Sequence, residues 1–278
     1  MGSLRRSGGI LANAGFYPSL GNHDLVCEAG AVEGGCGLAD PDRGEVNVLC
    51  DWREVFFLPA GSPDGPAIFY SFDWGPAHFA AFDTNSHALA GGDQLRWLEA
   101  DLEKARAAGR KWLILFFHEP VYTVGAYSIA KRVAHEVIPP IADRFEVDLV
   151  LSGHDHNYQR SHPVRGGVVR DAWQDPAFVS PRGTIYVVTG GGGRQLYPEI
   201  EDSDHRFTRL FLYAHHALEL VITPDRLTVR ALSPAKEVLD ELSITKDGAS
   251  PELRFIRGDA NADGAVNLAD AVRVLGHL

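Results

Sequence analysis

The 278-residue sequence predicts a mixed α/β (α+β) fold, a two-sheet β-sandwich flanked by helices, and three observations carry that expectation. Between residues 94 and 151, apolar runs of strand length alternate with helical stripes, the pattern of strands joined by helices packed outside a sheet. After residue 184 several strand-like runs follow, with apolar and polar residues alternating over Ala217–Ile222 and Arg226–Ala231, which makes the second half β-rich. Polar residues with chemical potential recur directly after apolar runs, at strand ends, where open α/β sheets gather ligands.

In order along the chain, residues 25–65 are rich in Gly, Pro and Asp and read as loop, with Asp51–Phe57 as a short helix. Ala67–Trp74 and Pro76–Asn85 read as strands, joined into a hairpin by Trp74-Gly75-Pro76. Leu95, Leu98, Leu102 and Ala105 form a helical stripe over residues 94–108, with Asp93 as N-cap and Gly109 as the residue after the C-cap. Strand Lys111–Phe117 follows. A second amphipathic helix over Ile129–Phe145 is expected to be kinked or interrupted at Pro139-Pro140. Val147–Leu151 is a buried strand. Thr184–Thr189 is another, running into Gly190–Gly193, four glycines that either cradle phosphate through bare backbone N–H groups or form a tight turn beside the site. Ala217–Ile222 and Arg226–Ala231 pair as a hairpin through Thr223-Pro224-Asp225, and Val238–Ile244 is the last strand. His215 and His216 open a strand and read as structural.

Composition narrows the partners. Hydrophobic residues at 45% and charged residues at 23% describe an ordinary globular chain. Lys and Arg number 26 against 37 Asp and Glu, and the net charge of −11 repels nucleic-acid backbones. A phosphate substrate remains compatible where metal ions supply the positive charge. The longest apolar run, Trp112–Phe117, is far short of the ~20 residues of a membrane span, so no membrane segment is expected. Cys27 and Cys36 flank a Gly-rich loop, as a disulfide or as two thiols, and Cys50 is the third cysteine.

The sequence centres on Gly153-His154-Asp155-His156-Asn157-Tyr158-Gln159-Arg160, which follows the strand Val147–Leu151. Imidazoles at i and i+2 of a loop can reach two sides of one site, and His is the commonest protein metal ligand. Two further stretches strengthen it: Gly21-Asn22-His23-Asp24, and Phe116-Phe117-His118-Glu119-Pro120 after a second apolar strand. In this order and spacing, from about Tyr17 to Lys246, the motifs resemble the calcineurin-like metallophosphoesterases, in particular their purple-acid-phosphatase-like branch.

The resemblance implies a two-metal hydrolase of phosphate mono- or diesters, using iron, manganese or zinc, in which a metal-held hydroxide attacks phosphorus in line. Carried over by motif, Asn22, His118 and His154 hold one metal and His156 the other. His23 protonates or polarises the leaving-group oxygen, with Asn22 beside it at the catalytic centre. Tyr122, Arg160 and Gly190–Gly193 form the substrate rim, and Asp24 and Asp155 orient neighbouring groups. Such relatives carry two earlier carboxylate motifs. Here no Asp or Glu precedes Asp24, so the expectation is a domain lacking its N-terminal part and a weak or empty first metal site. The alternative is a catalytically weak or inert fragment that acts as a scaffold-associated binding protein.

A separate pattern ends the chain. Asp259, Asn261, Asp263, Ala265 (through its carbonyl), Asn267 and Asp270 fall at the ligand positions of a 12-residue calcium loop, with Gly264 at the sharp turn. With the following helix, Leu268–Leu278, this resembles one repeat of a type I dockerin. The resemblance implies bound calcium, a cohesin-type scaffold protein as partner and an extracellular, secreted protein. The expected organisation is a metallophosphoesterase domain over 1–246, a linker over 247–256 and the single repeat over 257–278.

Overall fold

The computed structural model describes residues 15–21, 37–39, 46–48, 58, 68–84, 92–125, 132–201 and 203–246. The reading of Asp51–Phe57 as a helix, the three cysteines, Asn22, His23, Asp24 and the whole calcium-loop pattern of residues 259–270 lie outside them. Within the stretch read as loop, β1 (Gly37–Ala39) and β2 (Val46–Val48) pair antiparallel.

The expected hairpin is β3 (Tyr70–Trp74) and β4 (Ala77–Ala81), turned at Gly75, whose φ of 55° favours glycine. Helix α1 (Asp93–Ala107) buries Leu98, Leu102 and Ala105. Asp93 is not its N-cap, contrary to the sequence reading. Gly92 takes that position, and Asp93 sits in the first turn, where a carboxylate still favours the helix dipole. Gln94 replaces the cap as the anchor: its side chain accepts from Asp83 N–H and donates to Asp83 C=O, both at 2.8 Å. Strand β5 (Trp112–Phe117) leads to α2 (Arg132–Phe145), one helix containing both Pro139 and Pro140. The prolines do not interrupt it, because burial of Ile138, Ile141, Ala142 and Phe145 outweighs two missing N–H donors.

Then come β6 (Leu149–Ser152), β7 (Tyr158–Ser161), β8 (Val164–Arg165), β9 (Val168–Val169), β10 (Ala177–Val179) and β11 (Ile185–Thr189). Strands β12 (Thr208–Leu212), β13 (Ala217–Ile222), β14 (Arg226–Leu232) and β15 (Val238–Thr245) complete the order. A seven-stranded sheet runs β12-β7-β11-β6-β5-β4-β3, and a four-stranded sheet runs β10-β15-β14-β13. Strands β4, β5, β6 and β11 are parallel neighbours. Alternation along β5 divides the core. Leu113, Leu115 and Phe117 face the cluster that contains Leu98 and Leu102 of α1 and Ile138 of α2, while Trp112 and Ile114 join Leu227, Val229, Leu242 and Ile244 between the sheets. The sequence-predicted sandwich with flanking helices is therefore the fold. Among the described residues no helix is long and apolar enough to cross a membrane.

Polar ties lock the sheets together. Trp112 Nε1 donates to Thr223 O at 2.7 Å. Arg160, on β7, sends Nε and Nη2 to the two carboxylate oxygens of Asp240 on β15, at 2.6 and 3.0 Å, and Nη1 to Asp175. Tyr158 adds its hydroxyl to Asp240 at 2.7 Å. The Arg160 side chain is only 3% exposed, so it is not the rim residue expected from the motif: both its charge and its donors are spent inside the fold. Burial alone would raise the Asp175 carboxyl, but Arg160 and Arg209 prevail and hold it below the usual range. Removing one partner leaves the others as uncompensated buried charge. Arg160→Ala is expected to lower unfolding free energy by about 3–5 kcal/mol in urea titration. A rim role would instead leave the midpoint near wild type.

His78, buried on β4, sits between two carboxylates, with Nδ1 2.9 Å from Asp73 and Nε2 2.8 Å from Asp101. Arg110 also reaches Asp73, and Ser71 donates to Asp101. Burial pulls the imidazole pKa down, but the two carboxylates outweigh it and raise it. With the folded pKa above the unfolded one, its stabilisation is complete below about pH 6.5 and is lost as pH rises through the raised value. Urea midpoints measured on a rising pH series are expected to fall in this window for the wild type and to flatten in His78→Asn. An identical slope in both proteins would contradict the pairing.

Candidate active site at the ends of the parallel strands

The four parallel strands end on one edge, and each delivers residues there: Asp83-Thr84 after β4, His118-Glu119 after β5, His154–His156 after β6 and Gly190-Gly191 after β11. Phe117 pairs with Ser152 in the β5–β6 register, and Gly153 N–H donates to His118 O at 2.9 Å, carrying the pairing one step past the strands. His154 then turns with φ of 63°, a left-handed conformation that costs a non-glycine residue of order 1–3 kcal/mol. The turn places His154 Nδ1 3.0 Å from His118 Nε2, with the rings at 82°.

Two imidazole nitrogens bound to one tetrahedral ion at about 2.0–2.1 Å stand roughly 3.3 Å apart, so this pair fits a shared cation with little movement. Gly21 packs on the other side: a Cβ there would lie 3.0 Å from His118 Nδ1. The first residue of Gly-Asn-His-Asp thus touches the His118 ring, although Asn22 and His23 lie outside the described residues. His156 is held apart from the pair. Its Nδ1 donates to Gln195 O at 2.8 Å, and its ring stacks on Tyr197 at 4.1 Å and 16°. Among the described residues no three His, Cys, Asp or Glu side chains gather as a cation site.

Beneath the loop lies a buried polar network. Asp155, fully buried, accepts from Thr123 Oγ1. Gln159 accepts from Val124 N–H at 2.8 Å and donates to Thr123 Oγ1 and Asn157 Oδ1 at 2.9 and 2.8 Å. Asn157 donates in turn to Tyr197 O at 3.2 Å. These groups bind the 154–159 segment to loops 121–125 and 195–197. Sequence reading missed Thr123, Gln159, Gln195 and Tyr197 as supports, because their partners across the site lie 32–40 positions away and no local pattern marks them.

Tyr122 is half-buried. It packs against Tyr186 and Phe207 at 4.8 and 4.6 Å between centroids, and burial pushes its phenol up to about 12. Gly190 allows a close crossing: a Cβ there would meet Asp155 O at 2.0 Å. Gly191 is similarly crowded by His216 and Ala214. His216 is buried, donates from Nδ1 to Ala214 O at 3.0 Å and accepts at Nε2 from Thr189, while His215 donates to Gly191 O at 3.2 Å. Both histidines brace the glycine turn. A cavity of about 620 Å³ abuts Ser152 and Gly153, with Phe72, Phe79 and Phe116 in its wall.

A family model described as calcineurin-like phosphoesterase matches residues 8–158. Acid phosphatase type 7 of Homo sapiens is 30% identical over 163 residues, covering 51% of this chain and 36% of that protein. The probable inactive purple acid phosphatase 1 of Arabidopsis thaliana is 27% identical, covering 75% of this chain and 35% of that one. The structure of purple acid phosphatase PPD1 from yellow lupin superposes with a TM-score of 0.69 at 22% identity, over 83% of this chain and 40% of that one. The chain thus spans about a third of the length of these two curated relatives.

The crossing at Gly190 yields a paired test. Gly190→Ala is expected to lower the melting temperature and weaken zinc binding, since backbone must move away from Asp155. Gly192→Ala, where a Cβ meets nothing within 4 Å, leaves both unchanged. Scanning calorimetry with and without zinc reads the two effects, and equal behaviour of the variants would remove the crossing from the account.

Proposed function

The chain belongs to the calcineurin-like phosphoesterase family, and we propose that it hydrolyses phosphate mono- or diesters with iron, manganese or zinc ions held at two neighbouring positions. The observation that carries the proposal is the 3.0 Å approach of His118 Nε2 and His154 Nδ1 at the end of the parallel strands. In this reading His118 and His154 hold one cation together with Asn22, and His156 serves the other. Such cations, when bound, neutralise phosphoryl oxygens and make water a better nucleophile. That contribution matters here because a chain of net charge −11 offers little attraction of its own to a phosphate. His23 is assigned the leaving-group oxygen, to which it donates a proton. Asp155 and Gln159 keep the two-histidine loop in place from below.

Residues 257–278 extend the proposal with a bound calcium ion on Asp259, Asn261, Asp263, Ala265, Asn267 and Asp270, a cohesin-type scaffold partner and an extracellular location. A second reading is a binding protein with weak turnover, and it is supported by one similar chain, of Arabidopsis thaliana, whose name is probable inactive purple acid phosphatase 1.

Hydrolysis of p-nitrophenyl phosphate after chelation and after re-addition of manganese or zinc separates the readings. The first expects cation-dependent turnover that drops about 10- to 100-fold or more in His154→Ala. Cation binding without turnover supports the second. Hydrolysis unaffected by chelation and equal in the variant contradicts both.

A further inference from the structure

We infer that segment 195–197 is the positioning element for His156, with Tyr197 as its residue of consequence and a divalent cation as the ligand it prepares for. The inference rests on the proposed role of His156 as a cation ligand. Three bonds hold the segment to the two-histidine loop. Tyr197 N–H donates to His156 O at 2.9 Å, Asn157 Nδ2 donates to Tyr197 O at 3.2 Å, and His156 Nδ1 donates to Gln195 O at 2.8 Å. A carbonyl oxygen can only accept, so Nδ1 must carry the hydrogen in neutral His156, and the lone pair is left on Nε2. The ring's rotation is limited by Tyr197, whose ring lies nearly parallel at 4.1 Å. His156 is half-buried and Gln195 is exposed, so the carbonyl bond alone competes with water. The stacked ring covers one face of the imidazole and keeps it on the carbonyl. A fixed tautomer and a fixed ring orientation are what a metal-binding histidine gains from its outer partners, commonly worth 10- to 100-fold in affinity. Tyr197 belongs to no motif in the sequence, and its hydroxyl is not needed for this role.

The test uses the full chain labelled with ¹⁵N-histidine, free of metal and above the imidazole titration range. Long-range ¹H–¹⁵N correlation spectra report the tautomer, and His156→Ala identifies the His156 signals. Zinc affinity is measured by competition with a chromophoric chelator. Wild type and Tyr197→Phe are expected to show one tautomer, protonated at Nδ1, and equal affinity. Tyr197→Ala is expected to show averaged tautomers and about tenfold weaker binding. Tyr197→Leu, which keeps bulk without the aromatic face, serves where the alanine variant fails to fold and is expected to behave like it. A single Nδ1-protonated tautomer in the alanine or leucine variant overturns the inference, as does a wild type protonated at Nε2. Wild-type zinc affinity in His156→Ala refutes the ligand role of His156, while the tautomer readout still decides whether Tyr197 positions the ring.

Discussion

The site depends on the in-register parallel pairing of β5 with β6. Because Phe117 lies opposite Ser152 and Gly153 continues the ladder to His118, the two strands end at the same height. A slip of one residue would turn every side chain of β6 to the other face and take His154 away from His118. Register is enforced by burial on both faces. Leu113, Leu115 and Phe117 are committed to the helical side, and Trp112 and Ile114 to the second sheet. The hydrophobic core therefore sets the positions of two imidazoles 36 residues apart in sequence.

What the core sets coarsely, the buried polar groups refine. Asp155, Asn157 and Gln159 are each at most 3% exposed, and their hydrogen bonds join the 154–159 segment to loops 121–125 and 195–197. Buried polar groups of this kind are costly unless satisfied, which makes one loop arrangement far better than its alternatives. The left-handed His154 and the crossing at Gly190 are the local expenses of that arrangement. Further out, the Arg160–Asp240 pair clamps β7, which follows directly on the two-histidine loop, to the four-stranded sheet. Site and sandwich are thus mechanically continuous.

Much of this was legible in the sequence. Alternation placed β13 and β14 correctly as a hairpin, and the Leu98–Leu102–Ala105 stripe placed α1, because period-2 and period-3.6 burial leave local traces. The strand-end positions of His118 and His154 were equally readable. Arg160 was not: it looks like a site residue beside a motif, and it is buried by a partner distant in sequence, Asp240. The prolines do not end α2 for a related reason, since packing against the sheet outweighs a local preference. Strand β12 carries no clear alternation and owes its place to pairing with β7.

The central claim is that His118 and His154 share one cation. X-ray absorption of the zinc-loaded protein, comparing wild type with His118→Ala and His154→Ala, tests it most directly. The account expects imidazole scattering around zinc in the wild type, with one imidazole fewer in each variant. A zinc shell without imidazole, or one unchanged by both substitutions, would contradict it.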